Sequence, residues 1–128
     1  MTTRLILPLP PSKNRSHRQT NENGILRRRR TKETLRFARD AGWMCKAWMR
    51  ESGWRQAERG RKVILRYWCY WGDGRVHDPG NMVDTLLDSL KGVAYEDDNS
   101  VLPRAMDYAI DRKRPRVEIE LEEVSEHA

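Results

Sequence analysis

Apolar and polar positions alternate most clearly over residues 63–71. There Val63, Leu65, Tyr67, Cys69 and Trp71 point to one side of an extended chain, and Ile64, Arg66, Trp68 and Tyr70 to the other. Both sets are mostly apolar, which predicts a central strand covered on each side, ended by the turn Gly72-Asp73-Gly74. Residues 4–9 alternate more loosely and run into Pro8, Pro10 and Pro11, the mark of a short first strand leaving its sheet. Residues 12–30 are polar, carry Asn21 and Gly24 and show no helical stripe, so a mobile basic loop or a loose hairpin is expected there.

The period then changes. Thr31 is a suitable N-cap for a helix reaching about Ser52, with Gly53 beyond it. Phe37, Ala41, Met44 and Trp48 form its expected buried stripe, flanked by Ala38 and Cys45, while Arg36, Arg39, Lys46 and Arg50 fall largely off it. The tryptophans at 43, 48 and 54 read more simply as core than as a base-stacking platform. A second helix is marked by Asp78 as cap, Pro79 at its first position and Gly92 as its stop. Met82, Val83, Leu86, Leu87 and Leu90 make its apolar face, and Asn81, Asp84 and Asp88 its opposite side.

After the acidic turn Glu96-Asp97-Asp98-Asn99, two further alternating runs read as a hairpin. Met106, Tyr108 and Ile110 alternate with Asp107, Ala109 and Asp111; Arg112 to Pro115 turns the chain; Val117, Ile119 and Leu121 alternate with Glu118, Glu120 and Glu122. Residues 125–128 are expected to fray. The order strand-helix-strand-helix-strand-strand predicts an α+β fold: one domain over residues 1–128, with a mixed sheet of about four strands and two helices packed on it.

Length agrees, since 128 residues suit one domain with a modest core. No apolar run approaches the roughly 18 residues of a membrane span, and the first residues do not resemble a signal peptide, so a cytoplasmic protein without membrane association is expected. Cys45 and Cys69 lie far apart in apolar stretches and read as small buried hydrophobes in a reducing compartment.

Charge adds an asymmetry that the hydrophobic pattern hides. Residues 13–62 hold sixteen Lys and Arg against five Asp and Glu, whereas residues 63–128 hold eight against fourteen. A basic half joined to an acidic half suggests a polyanion-binding surface around a cation-binding site. Arg27, Arg28, Arg29 and Arg30 form an unbroken run, either a solvated patch or an arm that contacts phosphates.

There is no nucleophile elbow, P-loop or HExxH, and His17, His77 and His127 lack metal-ligand spacing. What remains is carboxylates in a basic protein: Asp78 at a helix start, and Asp97 and Asp98 after that helix. Two or three such acids can hold magnesium, which activates water and neutralises charge on a phosphodiester, provided arginines nearby attract the nucleic acid. Taken as structure alone, Asp78 is an N-cap and 96–99 a solvated turn.

The stretch from Asp78-Pro-Gly-Asn81 through Asp84, Leu87-Asp88-Ser-Leu90 and Gly92 to Asp97-Asp98 resembles the signature of the RusA family of Holliday-junction resolvases. That signature has an acid, any residue, an acid and an asparagine, then a lysine, an LDxL step, a glycine and a paired Asp-Asp. The opening Leu7-Pro-Leu-Pro-Pro-Ser-Lys-Asn14-Arg15 is similar to the family's, too. The resemblance implies a homodimer that grips branched DNA, a four-way junction, and nicks it symmetrically using Mg²⁺, for which Mn²⁺ can substitute. It implies catalytic roles for Asp78, Asp97 and Asp98, with the metal between Asp78 and Asp98; Asp97, or Asp84 by its place on the helix rather than by the resemblance, is expected to complete the set. In an active resolvase, Arg15, Arg18, Arg27, Arg28, Arg29 and Arg30 are expected from their charge to contact phosphates, and Asn14 and Asn81, which lie in the two matching segments, to contact the DNA as well. Small resolvases of this kind are often phage- or prophage-associated.

Two positions depart from the signature. Gly80 stands where the motif has its second acid, and Asp84 where it has its lysine. Asp84 follows Gly80 by four residues on one helix face, so it can stand in for the missing acid. The rise between them is about 6 Å, against a Mg–O distance of about 2 Å, which calls for a backbone shift or a water-mediated ligand. Three functions therefore stay open: an active junction resolvase, a junction-binding protein of the same fold without catalysis, and a metal nuclease acting on duplex or flap DNA.

Overall fold

Strand β4, Val63–Trp71, takes the middle of the sheet because its pattern lets it bond on both edges and bury one whole face. In the computed structural model, which describes residues 3–12, 17–75 and 77–125, β4 lies between β5 and β6. The chain order is β1 (Leu5–Leu7), β2 (His17–Glu22), β3 (Ile25–Arg30), α1 (Lys32–Ser52), β4, α2 (Val83–Leu90), β5 (Val101–Ile110) and β6 (Arg116–Glu123). The main sheet runs β1-β6-β4-β5, with β4–β5 parallel and the other pairs antiparallel; β2 and β3 make a separate two-stranded sheet. This is the expected α+β architecture of four mixed strands and two helices.

Helix α1 is bounded as its sequence predicts. Thr31 accepts from the Thr34 N–H at 3.2 Å, and Gly53 closes the helix in the left-handed region at φ 79°, donating its N–H to Met49. Its buried line is Thr34, Phe37, Ala41, Cys45 and Trp48. Met44 is 43% exposed, a correction to the expected stripe: at 100° per residue, Cys45 points into the core between Ala41 and Trp48 and Met44 points away. Of the three tryptophans expected in the core, Trp48 is buried, Trp54 packs partly against it, and Trp43 is 70% exposed. Both cysteines are free and fully enclosed, and burial pushes each thiol up to about 11.

Three other expectations are corrected. The two final strands are not a hairpin; they flank β4 on opposite sides, because β4, with one whole face in the core, satisfies its backbone groups along both edges by pairing with each of them. Nor is β4 covered on both faces. Helices pack on the Val63–Leu65–Tyr67 side, whereas the other face carries arginines: the Arg4 guanidinium lies 3.6 Å from the centre of the Trp68 ring, and that of Arg116 lies 3.9 Å from Tyr70. The second helix is split, with a 3-10 turn at Pro79–Asn81 and α2 starting only after Met82. Of the two readings of residues 12–30, a mobile loop or a loose hairpin, the hairpin is the one found: residues 17–30 form the regular hairpin β2–β3. Asn23 and Gly24 both take positive φ, the two-residue turn whose twist matches a hairpin. Residues 126–128 of the expected frayed tail, with His127, lie outside the described residues.

Candidate active site

Every acid in question lies on the crossover between the parallel strands β4 and β5. At its start, Asp78 accepts from the Gly80 N–H at 2.9 Å and so caps the turn Pro79–Asn81, whose Pro79 carbonyl also accepts from the Tyr67 hydroxyl at 3.5 Å. A Cβ added at Gly80 would stand 3.3 Å from Asp78 Oδ1, so position 80 faces the Asp78 carboxylate directly. Beyond it, Asn81, Asp84 and Asp88 are exposed along one line of the helix, opposite buried Met82, Leu86 and Leu90.

The far end of the crossover is tied to the chain between α1 and β4. Ala57 and Glu96 donate backbone bonds to Ala94 and Ala57 respectively, the Trp54 indole donates to Ala94 at 2.9 Å, and the buried Tyr95 hydroxyl donates to the Leu87 carbonyl at 2.6 Å. Asp97 caps the last 3-10 turn, Asp98–Ser100, by accepting from the Asn99 N–H, and it pairs with Arg59 at 3.1 Å. Its side chain is 11% exposed. The Asn99 N–H, with Lys91 and Arg59 nearby, holds the Asp97 carboxyl below the ordinary carboxylate range. Asp98, the next residue, is left to face a cavity.

That cavity, about 410 Å³, lies between the β2–β3 hairpin and α2. Asp84, Asp88 and Asp98 line it on the crossover side, with Asn81; His17, Arg28 and Arg30 line it on the hairpin side. Arg30 reaches across to Asp88 at 2.9 Å. The four arginines therefore divide by strand alternation: Arg28 and Arg30 face the acids, while Arg29 and Arg27 face Glu22, which Arg29 grips through two 2.9 Å bonds. Arg18 is exposed on β2, opposite Arg29.

Asp78 belongs to a second, adjoining cavity of about 470 Å³, walled by Leu9, Pro10, Pro11, Trp71 and Met82. Asn81 borders both cavities. In this second cavity His77 stacks on Trp71, with ring centres 4.4 Å apart, and bonds Asp73 at 2.7 Å; that bond, with one from the Arg75 N–H, lowers the Asp73 carboxyl.

Of the residues expected from the sequence, Asp84, Asp98 and Asn81 meet in one cavity with Arg28 and Arg30, Asp78 stands next door, and Asp97 is turned to Arg59. Asn14 and Arg15 lie outside the described residues. Among the described residues no three acids, histidines or cysteines converge closely enough to hold a metal by themselves. Two carboxylates on one cavity are nevertheless a donor set that Mg²⁺ accepts when phosphate oxygens and waters complete its octahedron. Sequence reasoning gives no role to Asp88 or His17. The signal for Asp88 is its place on the Asn81–Asp84 line, while His17 depends on a contact across the fold that no local pattern carries.

Residues 8–122 match the family model described as endodeoxyribonuclease RusA. A comparison with curated proteins finds no match.

Proposed function

Since the chain belongs to the RusA endodeoxyribonuclease family, we propose that it nicks four-way DNA junctions at the cavity between the hairpin and α2. The observation that carries this reading is the facing of opposite charges across one space: Asp84 and Asp98 on the crossover, Arg28 and Arg30 on the hairpin. A phosphodiester held there meets guanidinium donors on one side and metal-binding carboxylates on the other.

Asp98 and Asp84 would hold Mg²⁺ or Mn²⁺, with Asp78 approaching from the adjoining cavity past Asn81. When bound, the metal supplies a water acidified toward neutrality and neutralises charge on the phosphate. Arg28 and Arg30 hold the phosphate oxygens. Arg18, Arg27, Arg29, Asn14, Arg15 and Asn81 contact neighbouring backbone, and Asp97 orients Asp98 through its own fixed bonds. A homodimer, acting in the cytoplasm on phage or chromosomal DNA, sets two such sites on opposing strands.

A second reading, a junction-binding protein without catalysis, is favoured by Gly80, which stands where the motif carries an acid, and by the separation of Asp78 from Asp98 into neighbouring cavities. Cleavage of a labelled synthetic four-way junction, with matched duplex as control and with or without Mg²⁺ or Mn²⁺, separates the two. Metal-dependent symmetric nicks confined to the junction are expected. Tight junction binding without nicks would leave the second reading, and equal cutting of the duplex would point to a general nuclease.

A further inference from the structure

We propose that the outward face of α1 is a contact strip for a duplex arm of the DNA, running away from the cavity; this rests on the nuclease reading above. At 100° per residue, Lys32, Arg36, Arg39, Lys46 and Arg50 fall within an arc of about 80° on the side opposite the buried line. All five are at least partly exposed. The helix's three acids, Glu33, Asp40 and Glu51, share a flank outside that arc; among the described residues, Arg39 is the one cation of the five in an ion pair, with Asp40 at 3.3 Å. A solvated helix face ordinarily mixes both signs. One sign only, over this length, is the footprint of a polyanion.

The second observation is Trp43, which lies inside the same arc and is 70% exposed. A tryptophan is the largest apolar side chain to leave in water, and this one takes no part in the core. Between phosphates, the apolar surface a duplex presents is its sugars, and a flat indole set among arginines suits that alternation. Position supplies the third. Thr34, in the first turn of α1, lines the acid cavity, and Thr31 joins the helix directly to Arg30. From Lys32 to Arg50 the strip extends about 27 Å, roughly the length of eight base pairs.

The test uses the full chain in EDTA with four-way junctions of 20-bp and 6-bp arms. The variants are a triple substitution, Arg36→Gln with Arg39→Gln and Arg50→Gln, its all-Lys counterpart, and Trp43→Ala. On long arms the Gln variant is expected to lower the slope of log affinity against log salt by about 2–3, near 0.9 per phosphate contact, and to weaken binding at least tenfold. The Lys version keeps the slope, Trp43→Ala weakens binding several-fold, and on the short arms, which at about 20 Å stop before Arg50, the Gln variant's loss of slope shrinks by about one phosphate contact. Unchanged long-arm binding would overturn the proposal, as would an equal loss on both arm lengths. A shift from dimer to monomer on Trp43→Ala, seen by sedimentation, would make this face a protein interface and also overturn it. Failure of the nuclease reading shows separately, as wild-type protein that neither prefers the junction nor cuts it, while the same variants still report arm contact on a 20-bp duplex. Wild-type protein that binds no DNA would overturn both.

Discussion

The four-stranded sheet and the β2–β3 hairpin are both built from strands, and they are held by opposite means. In the sheet, Leu5, Leu7, Val63, Leu65, Cys69, Val117 and Ile119 are almost wholly removed from water, each large side chain contributing about 1.5–3 kcal/mol by burial. Every residue of β3 is exposed. Beyond its backbone ladder the hairpin is held by a turn and the Glu22–Arg29 pair, and the Arg30–Asp88 ion pair ties it to α2. Exposed pairs of this kind contribute about 0–1 kcal/mol. The difference teaches where to look for function: side chains consumed by packing are unavailable to a ligand, whereas the hairpin holds four arginines in regular register with little packing to occupy them.

Breaking the comparison starts in the core. Leu86→Ala removes a fully buried side chain of α2 and is expected to cost about 2–5 kcal/mol in urea unfolding, more than any surface change should. Asp98→Asn is expected to leave that transition in place and to lower single-turnover junction cleavage by about 100-fold or more, the range for losing a metal-holding carboxylate. Replacing all four arginines at 27–30 by alanine shifts unfolding by under about 1 kcal/mol but flattens the salt dependence of DNA binding by up to about 3–4 in slope. Unchanged binding would show the run to be merely solvated.

Smaller effects sharpen the contrast. Asp88→Asn releases Arg30, so hydrogen exchange across β3 should quicken several-fold while β4 and β6 stay protected. The smallest concerns acid. Asp97 has a folded pKa below its unfolded value near 3.8, so its contribution is fully present above that value and is lost as pH falls through the folded pKa. Asp97→Asn should therefore lower stability slightly at neutrality and flatten the profile below about pH 4, where the two proteins converge; an unchanged acid limb would remove Asp97 from that account.

Much of this fold is legible in the sequence because it is written in local period and local caps. The alternation of residues 63–71 marks β4 and the residues of its buried face, and Thr31 and Gly53 mark both ends of α1. Partner choice is not local. The runs after residue 101 alternate as a hairpin would, yet which strand each joins is decided by β4, almost forty residues earlier for β5 and about fifty for β6. Met44 and Cys45 are both apolar, and one residue of rotation decides which is buried. For the site, the order of acids along the chain is plain, but their division between two cavities follows from the break at Met82 (φ −117°, ψ −4°), which the Pro-Gly pair alone does not announce. Trp43 escapes the sequence pattern for the same reason as Met44: aromatic character says nothing about direction.

The register shift in β5 carries a consequence for how the molecule behaves when crowded. Strand β5 is an open ten-residue edge on which Met106, Tyr108 and Ile110 are about half exposed or more, the profile of a strand that could recruit another and grow into fibrils. Its ladder with β4 is interrupted between Ala105 and Asp107, its third residue is Pro103, which has no N–H to offer, and Arg104 and Asp107 put charge on either side of the irregularity. An incoming strand therefore meets an interrupted, charged rim with one donor missing, features that disfavour edge-to-edge stacking while apolar side chains stay uncovered on this flank.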